Sequence, residues 1–258
     1  MTQHETKSIL DDPRVLGWGS VVLVIAFWEI AARLTGVNSL YLPRPSQIVV
    51  ALVDMFTTGG LLADLLMTLY RIFAGFAIAL VVGTLLGVWI ATSPRVRAVA
   101  DMWIAALYPL PKVTLIPLLI IWLGTGGPFM LTISALGAIF PILINTVLGV
   151  RQCDPGLVLA ARDLNASPSQ IVHKVLIPSA IPSIFAGVRL GLGVSIILVV
   201  AAEMVVGKVG LGARLYLAGQ ILETEQVFAV LIVLAALGIT VTKIQDQIDV
   251  WLGRWRLA

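Results

Sequence analysis

Long apolar runs separated by short charged or proline-rich stretches dominate this chain, and their lengths predict its elements. The run from Leu16 to Leu34 has about the length, roughly 20 residues, that a helix needs to cross a bilayer. Near its end Glu29 and Arg33 stand four apart with the acid first, the favourable order for a helical ion pair; the rival reading makes Glu29 a group on a membrane pathway. Tyr41-Leu42-Pro43-Arg44-Pro45-Ser46 is a rigid extended lead into an amphipathic segment expected to lie along the outer surface through Met67. Ile72 to Thr92 is an uncharged second span with Gly75, Ala79, Gly83 and Gly87 at every fourth position. Such a small-residue stripe lets another helix approach closely, either as fixed packing or as a seam that slides. Val113 to Val150 carries no charge and is too long for one crossing; Gly124-Thr125-Gly126-Gly127-Pro128 breaks it. A third span is therefore predicted over 102–124 and a fourth over 128–150. The third includes Pro109, Pro111 and Pro117, which kink a membrane helix and free backbone carbonyls toward protein or a water-filled path. The fourth has Pro141 and Asn145 as its irregularities. A fifth span over 184–206 and a sixth over 227–249, continuing as a helix to Leu252, complete the set.

Residues 151–183 form a polar insertion in this apolar pattern. It reads as two short helices joined by a tight turn. Asp154 followed by Pro155 is an N-cap with proline at the first helical position, and Leu157, Val158, Ala161 and Leu164 fall on one face. Asn165 tolerates the left-handed conformation and ends the first helix. Ser167-Pro168-Ser169-Gln170 is a capping box for the second, whose apolar face holds Ile171, Val172, Val175 and Leu176 until Pro178 interrupts it. A compact helical knob is expected to project from the membrane domain.

Composition turns the pattern into a class. The chain is 59% hydrophobic and only 12% charged, with mean hydropathy +1.01, whereas charged residues approach about a quarter of a soluble domain. This is an integral membrane protein in contact with the lipid bilayer. A single cysteine, Cys153, excludes an intrachain disulfide, and two distant histidines, His4 and His173, argue against metal chemistry; no cofactor is expected on this chain. The net charge of +3 does not point to nucleic acid, because the bases are spread between the apolar runs as topology signals. With both termini inside, Lys7, Arg14, Arg95, Arg97, Arg151, Arg162, Lys174, Arg254 and Arg256 are cytoplasmic. Arg33, Arg44, Arg71, Lys208 and Arg214 are outside, and Lys112, Arg189 and Lys243 lie within or beside spans. That excess places residues 1–15, the 151–183 loop and residues 253–258 in the cytoplasm, and no removable signal peptide is read at the N-terminus.

Candidate chemistry within the spans is sparse. Lys112 either faces a path and attracts an anion or snorkels to headgroups; Arg189 stands near the inner end of the fifth span. Glu203, near the outer end, contacts solute or a gate, or makes a structural hydrogen bond. With Pro117 and Asn145 these are the candidates for a translocation path or gate. Gly207 to Gly212 lacks the order of a phosphate loop and reads as an outer turn. An ion-driven secondary transporter would call for paired acids deep in the membrane and inverted repeats, and neither is found. An intramembrane enzyme would need a nucleophile, base and acid constellation that the spans lack, so no catalytic residue is assigned.

The knob also carries a resemblance. Leu159, Ala160, Ala161, Asn165, Val175, Ile177 and Pro178 resemble, in register, the cytoplasmic loop of ABC-importer permeases: Glu-Ala-Ala, three residues, Gly, nine residues, then Ile, any residue, Leu-Pro. Leu159 replaces the Glu and Asn165 the Gly; Asn can serve the Gly's backbone role, but Leu159 cannot make the ion pair that the Glu makes with the ATPase in relatives. Further stretches are similar to the nitrate, sulfonate, taurine and bicarbonate branch. They are Thr68-Leu69-Tyr70-Arg71 with Gly75-Phe76, and Pro109-Leu110-Pro111-Lys112 with Ile116-Pro117-Leu118 and Trp122-Leu123-Gly124. Ala186 to Gly193, Ala202-Glu203-Met204 and Gly210-Leu211-Gly212 complete the likeness, which covers Leu42 to Arg256.

The resemblance implies an all-α membrane protein of about six transmembrane helices with the type I ABC-importer permease (MetI-like) fold, in a bacterial inner membrane. It implies a second permease chain forming a homodimer, two cytoplasmic ATPase subunits that hold the ATP and magnesium, and an external solute-binding protein. Leu159, Ala160, Ala161, Arg162, Asp163, Leu164, Asn165, Ala166 and Pro178 would form the coupling contact with the ATPase. The solute implied is a small anion such as a sulfonate or taurine, nitrate or bicarbonate, with a thiamine-precursor pyrimidine or an aromatic acid as the alternative.

Overall fold

Proline and glycine set most of the helix boundaries. In the computed structural model, which describes residues 13–253, the helices are α1 (Pro13–Leu34), α2 (Pro45–Thr57), α3 (Leu61–Thr92), α4 (Pro94–Leu107), α5 (Ile116–Leu123) and α6 (Gly127–Arg151). They continue with α7 (Pro155–Asp163), α8 (Pro168–Ile171), α9 (Ile177–Val206), α10 (Leu211–Gln220) and α11 (Thr224–Gly253). α1, α2, α4, α7 and α8 each begin on a proline, whose missing N–H would have no helical partner there. Gly124 and Gly207, at φ 70° and 59°, terminate α5 and α9 in conformations that a side chain disfavours. Among the described residues there is no strand. Five of the described helices are long and apolar enough to cross a membrane, six if the bent pair α4 and α5 is one span. Lys7, Arg254 and Arg256, with most of the predicted cytoplasmic ends 1–15 and 253–258, lie outside the described residues.

Several expected limits shift. The amphipathic stretch predicted through Met67 ends at Thr57, and the second span's helix starts at Leu61 rather than Ile72. Its first polar residues, Asp64 and Thr68, are buried, so charge in that stretch does not mark its exit from the protein. The predicted third span is two helices meeting at 89°. Pro109 and Pro111 remove two N–H donors from one turn, and the chain restarts as a short 3₁₀ turn over Lys112–Leu115 before α5. Pro178 does not interrupt the knob's second helix. The backbone widens to a π turn over Val172–Leu176, with the Ile177 N–H reaching the Val172 carbonyl, and so runs helically from Pro168 to Val206. The wider turn draws the carbonyls away from the pyrrolidine ring that an α-helix would have to accommodate.

Two bodies are distinguishable. In the first, residues 13–61 with 215–232, Glu29 takes the Arg33 Nε–H at 2.7 Å and both the N–H and hydroxyl of Ser46 at 3.0 Å. Glu29 therefore caps the start of α2, where an anion suits the helix dipole. Thr224 donates to the Leu40 carbonyl at 2.6 Å, and the Trp28 and Phe228 rings lie 5.5 Å apart.

The second body, 62–214 with 233–253, is built on α6, which packs along α9 on one side and against the small-residue stripe of α3 on the other. Between membrane helices the hydrophobic effect supplies little, so close approach and hydrogen bonds decide the packing. Both are present. A Cβ on Gly87 would stand 2.6 Å from the Thr146 Cβ, and one on Gly187 2.7 Å from the Pro141 carbonyl. Ser134 donates to the Ile72 carbonyl at 2.9 Å, and Ser195 donates to the Ser134 carbonyl at 2.7 Å, tying α3, α6 and α9 in series. Phe129, Ile133, Leu198 and Ala202 fill the interior with Ile116 and Leu119 of α5.

Candidate coupling knob, broken span and buried carboxylate

The knob is fixed by its own backbone chemistry. Asp154 accepts from the Gly156 N–H at 2.8 Å and opens α7. At its end the Asn165 N–H reaches the Arg162 carbonyl at 2.8 Å and the Ala166 N–H the Ala161 carbonyl at 3.0 Å, with Asn165 at φ 57°. This is a Schellman closure with asparagine where glycine usually stands. Ser167 and Gln170 then cap each other reciprocally, at 3.3 Å and 2.8 Å. The face expected from periodicity divides. Val158, Ala161 and Ala166 are half-buried, whereas Leu157, Leu159, Ala160 and Leu164 are exposed, Leu164 to 83%. Arg162 and Asp163 flank that outward apolar surface, and Pro178 lies exposed just beyond the π turn.

The five path candidates are not brought together. Lys112 folds back across the break to donate to the Tyr108 carbonyl, with its ammonium 5.1 Å from the Tyr108 ring centroid and 5.2 Å from that of Phe140. These contacts hold the cation over two ring faces. Pro117 is exposed on α5. Asn145 turns its amide onto the Pro141 carbonyl of its own helix at 2.8 Å. Arg189 pairs with Asp246 of α11 at 2.9 Å, both half-exposed. Glu203 is wholly buried.

Glu203 is the centre of a buried polar network in this body. Its carboxylate accepts from the Thr68 hydroxyl at 2.9 and 3.0 Å, from Arg71 at 2.6 Å and from the Gly212 N–H at 3.0 Å. Arg71 also donates to the Val209 carbonyl at 2.6 Å, and Thr68 accepts from the Leu211 N–H at 2.9 Å. Asp64 accepts from the Gly210 N–H at 2.9 Å and pairs with Arg214 at 2.5 Å. The loop can come this close only with glycine at 210 and 212: a Cβ on the first would collide with the Glu203 carboxyl and one on the second with the Val200 carbonyl. Both Glu203 oxygens are thus committed to the chain's own donors, and the predicted outer turn is a clamp. Sequence reasoning named Glu203 but missed Asp64 and the roles of Thr68 and Arg71. The available signal was their spacing at i, i+4 and i+7, one polar stripe at the start of an apolar helix.

Among the described residues no group of three His, Cys, Asp or Glu is placed to hold a metal ion.

Comparison with known proteins adds the context. Residues 79–254 match the family described as binding-protein-dependent transport system inner membrane component. The chain is 32% identical over 244 residues to SsuC of Bacillus subtilis (strain 168), a permease protein named for aliphatic sulfonates, covering 93% of this chain and 88% of that one. It is 30% identical over 247 residues to the taurine transport system permease protein TauC of Escherichia coli (strain K12), covering 92% and 90%. It is 31% identical over 236 residues to the riboflavin transport system permease protein RibX of Chloroflexus aurantiacus, covering 92% and 88%. In fold it resembles a chain of the MetNI methionine ABC transporter in an inward-facing conformation, with TM-score 0.65 and 25% identity over 76% of this chain and 97% of that chain. The expected all-α, MetI-like type I importer fold is therefore present, and the chain belongs to the binding-protein-dependent transport system inner membrane components as an ABC-importer permease subunit.

Proposed function

We propose that this permease subunit forms the path for a small organic or inorganic anion, a sulfonate or taurine first, with nitrate and bicarbonate next. The observation that carries the reading is the likeness, across about nine-tenths of the chain, to permeases named for aliphatic sulfonates and taurine. The second reading is a thiamine-precursor pyrimidine or an aromatic acid, and a relative of similar identity named for riboflavin, itself an aromatic solute, lends it support. In the proposed assembly two copies form the path, an external binding protein delivers solute, and two ATPase subunits sit beneath, holding ATP and magnesium. The knob and both termini lie on the cytoplasmic side.

Coupling runs through the outward face of α7. Burial of Leu159, Ala160 and Leu164 in a groove of the ATPase replaces the ion pair that Leu159 cannot form, and Arg162 or Asp163 adds a rim contact. Closure of the ATPases on ATP moves α7 as a rigid piece, and the widened helix behind it passes the motion into α9. The test is purification of tagged chain in mild detergent with whatever ATPase accompanies it, then reconstitution with the binding protein. Taurine-stimulated, vanadate-sensitive hydrolysis is expected; stimulation by riboflavin but not by any anion overturns the solute reading. Ala160→Glu, at an exposed position, is expected to leave the chain folded and reduce solute-stimulated hydrolysis more than tenfold, and unchanged transport would overturn the coupling role.

A further inference from the structure

Where α3 gives way to α4, an open apolar groove of about 580 Å³ runs between α3, α4 and α6. Trp89 forms one wall, Val99, Trp103 and Leu107 the other, and Phe140 lies at the end away from Arg95. The walls are open to their surroundings: Trp89 is 58% exposed and Trp103 63%. Arg95 is an exposed lining residue at the α4 N-terminal end of the groove and has no hydrogen-bond or ion-pair partner among the described residues, whereas Arg97, two residues on, is taken by Asp101 at 3.2 Å. The Ser93 side chain makes no capping bond to the first N–H groups of α4.

We propose that the groove is a binding site for one anionic phospholipid, with an acyl chain along α4 and the phosphate on Arg95. Length supports this occupant. From Arg95 to Leu107 an α-helix rises about 18 Å, close to one leaflet's share, about 15 Å, of the hydrocarbon thickness. A cation at one end, an uncharged lining beyond it and tryptophan in both walls is the order of chemistry that a phospholipid presents from headgroup to tail. A zwitterionic lipid brings its own cation to the phosphate and gains less from Arg95, so the site selects net negative charge.

The test uses the full-length protein, purified in detergent and mixed with phosphatidylglycerol or phosphatidylcholine of identical acyl chains, with bound lipid counted by native mass spectrometry. Phosphatidylglycerol is expected to be retained about fivefold better, the effect of one cation near a membrane surface. Arg95→Gln removes the preference and Arg95→Lys keeps it, while Ala100→Trp, which fills the groove, lowers retention of both lipids. Phosphatidylglycerol brominated in mid-chain quenches the tryptophan fluorescence, and Trp103→Phe weakens that quenching. Equal retention of the two lipids, or a preference that survives Arg95→Gln, overturns the proposal. So does efficient disulfide formation between copies by Trp103→Cys in a Cys153→Ser background, which would show a second chain filling the groove.

Discussion

Removing the Glu203 carboxylate tests the idea that the polar clamp, rather than apolar packing alone, holds the end of α9 to α3. In Glu203→Ala the Arg71 guanidinium, whose side chain is only 16% exposed, keeps the Val209 carbonyl and loses its carboxylate. The Thr68 hydroxyl keeps its bond from the Leu211 N–H but has no acceptor, and the Gly212 N–H is orphaned. Deleting one partner of a buried ion pair costs about 3–5 kcal/mol. The residual exposure and second acceptor of Arg71 put this case at the lower end, about 3 kcal/mol. At about 2–4 °C per kcal/mol for a chain of this size, Tm should fall by about 6–12 °C. Glu203→Gln, which keeps the volume and one acceptor oxygen, should lose about half as much. The assay is thermal unfolding in detergent followed by tryptophan fluorescence, with Arg71→Ala completing a double-mutant cycle. A fall of less than about 2 °C for Glu203→Ala, or additive effects of the two changes, would refute the clamp.

Other outcomes follow from the same physics. Gly87→Val drives a side chain into Thr146 and should prevent close packing of α3 on α6, lowering folded yield sharply; Gly193→Ala, where an added Cβ meets nothing within 4 Å, should leave yield unchanged. Asn165→Val puts a β-branched residue at φ 57° and costs roughly 1–2 kcal/mol, so hydrogen exchange over 155–170 should quicken about tenfold while Asn165→Gly leaves it unchanged or slower. Ser167→Ala removes half of the reciprocal cap, about 1 kcal/mol, and should quicken exchange in the same segment to a similar extent.

How much of this was legible varied with the range of the interaction. The caps of the knob could be read residue by residue because capping is local: Asp154, Asn165, Ser167 and Gln170 meet partners within a few positions. The crossings could be read because an apolar run of bilayer length has few other uses. The clamp could not. Asp64, Thr68 and Arg71 find their partners more than 130 residues away, so in sequence they resemble a polar border. Arg71 and Arg214, counted as topology signals, are each paired with an acid of their own body. At the third span the prolines marked the place of the break but not its 89° angle, which involves Lys112 folding onto Tyr108 and Phe140. The apolar face read on α7 divides between half-buried and exposed positions because short helices bury faces according to what lies beneath them, and periodicity alone does not say what that is.

The unbroken helical run from Pro168 to Val206 carries a mechanical consequence. At 39 residues its contour is about 58 Å, against about 40–45 Å for a bilayer including its headgroups. It works as a boom, longer than the bilayer is thick unless it is steeply tilted. A pivot of about 5° at mid-length would sweep each end by about 2.5 Å. The end near Val206 is not free to swing alone, because Glu203 is fastened to Thr68 and Arg71. Any stroke applied at Pro168 must therefore carry α3 along with it or bend the boom, and the π turn beside Pro178 is the point along it where the backbone is already slack.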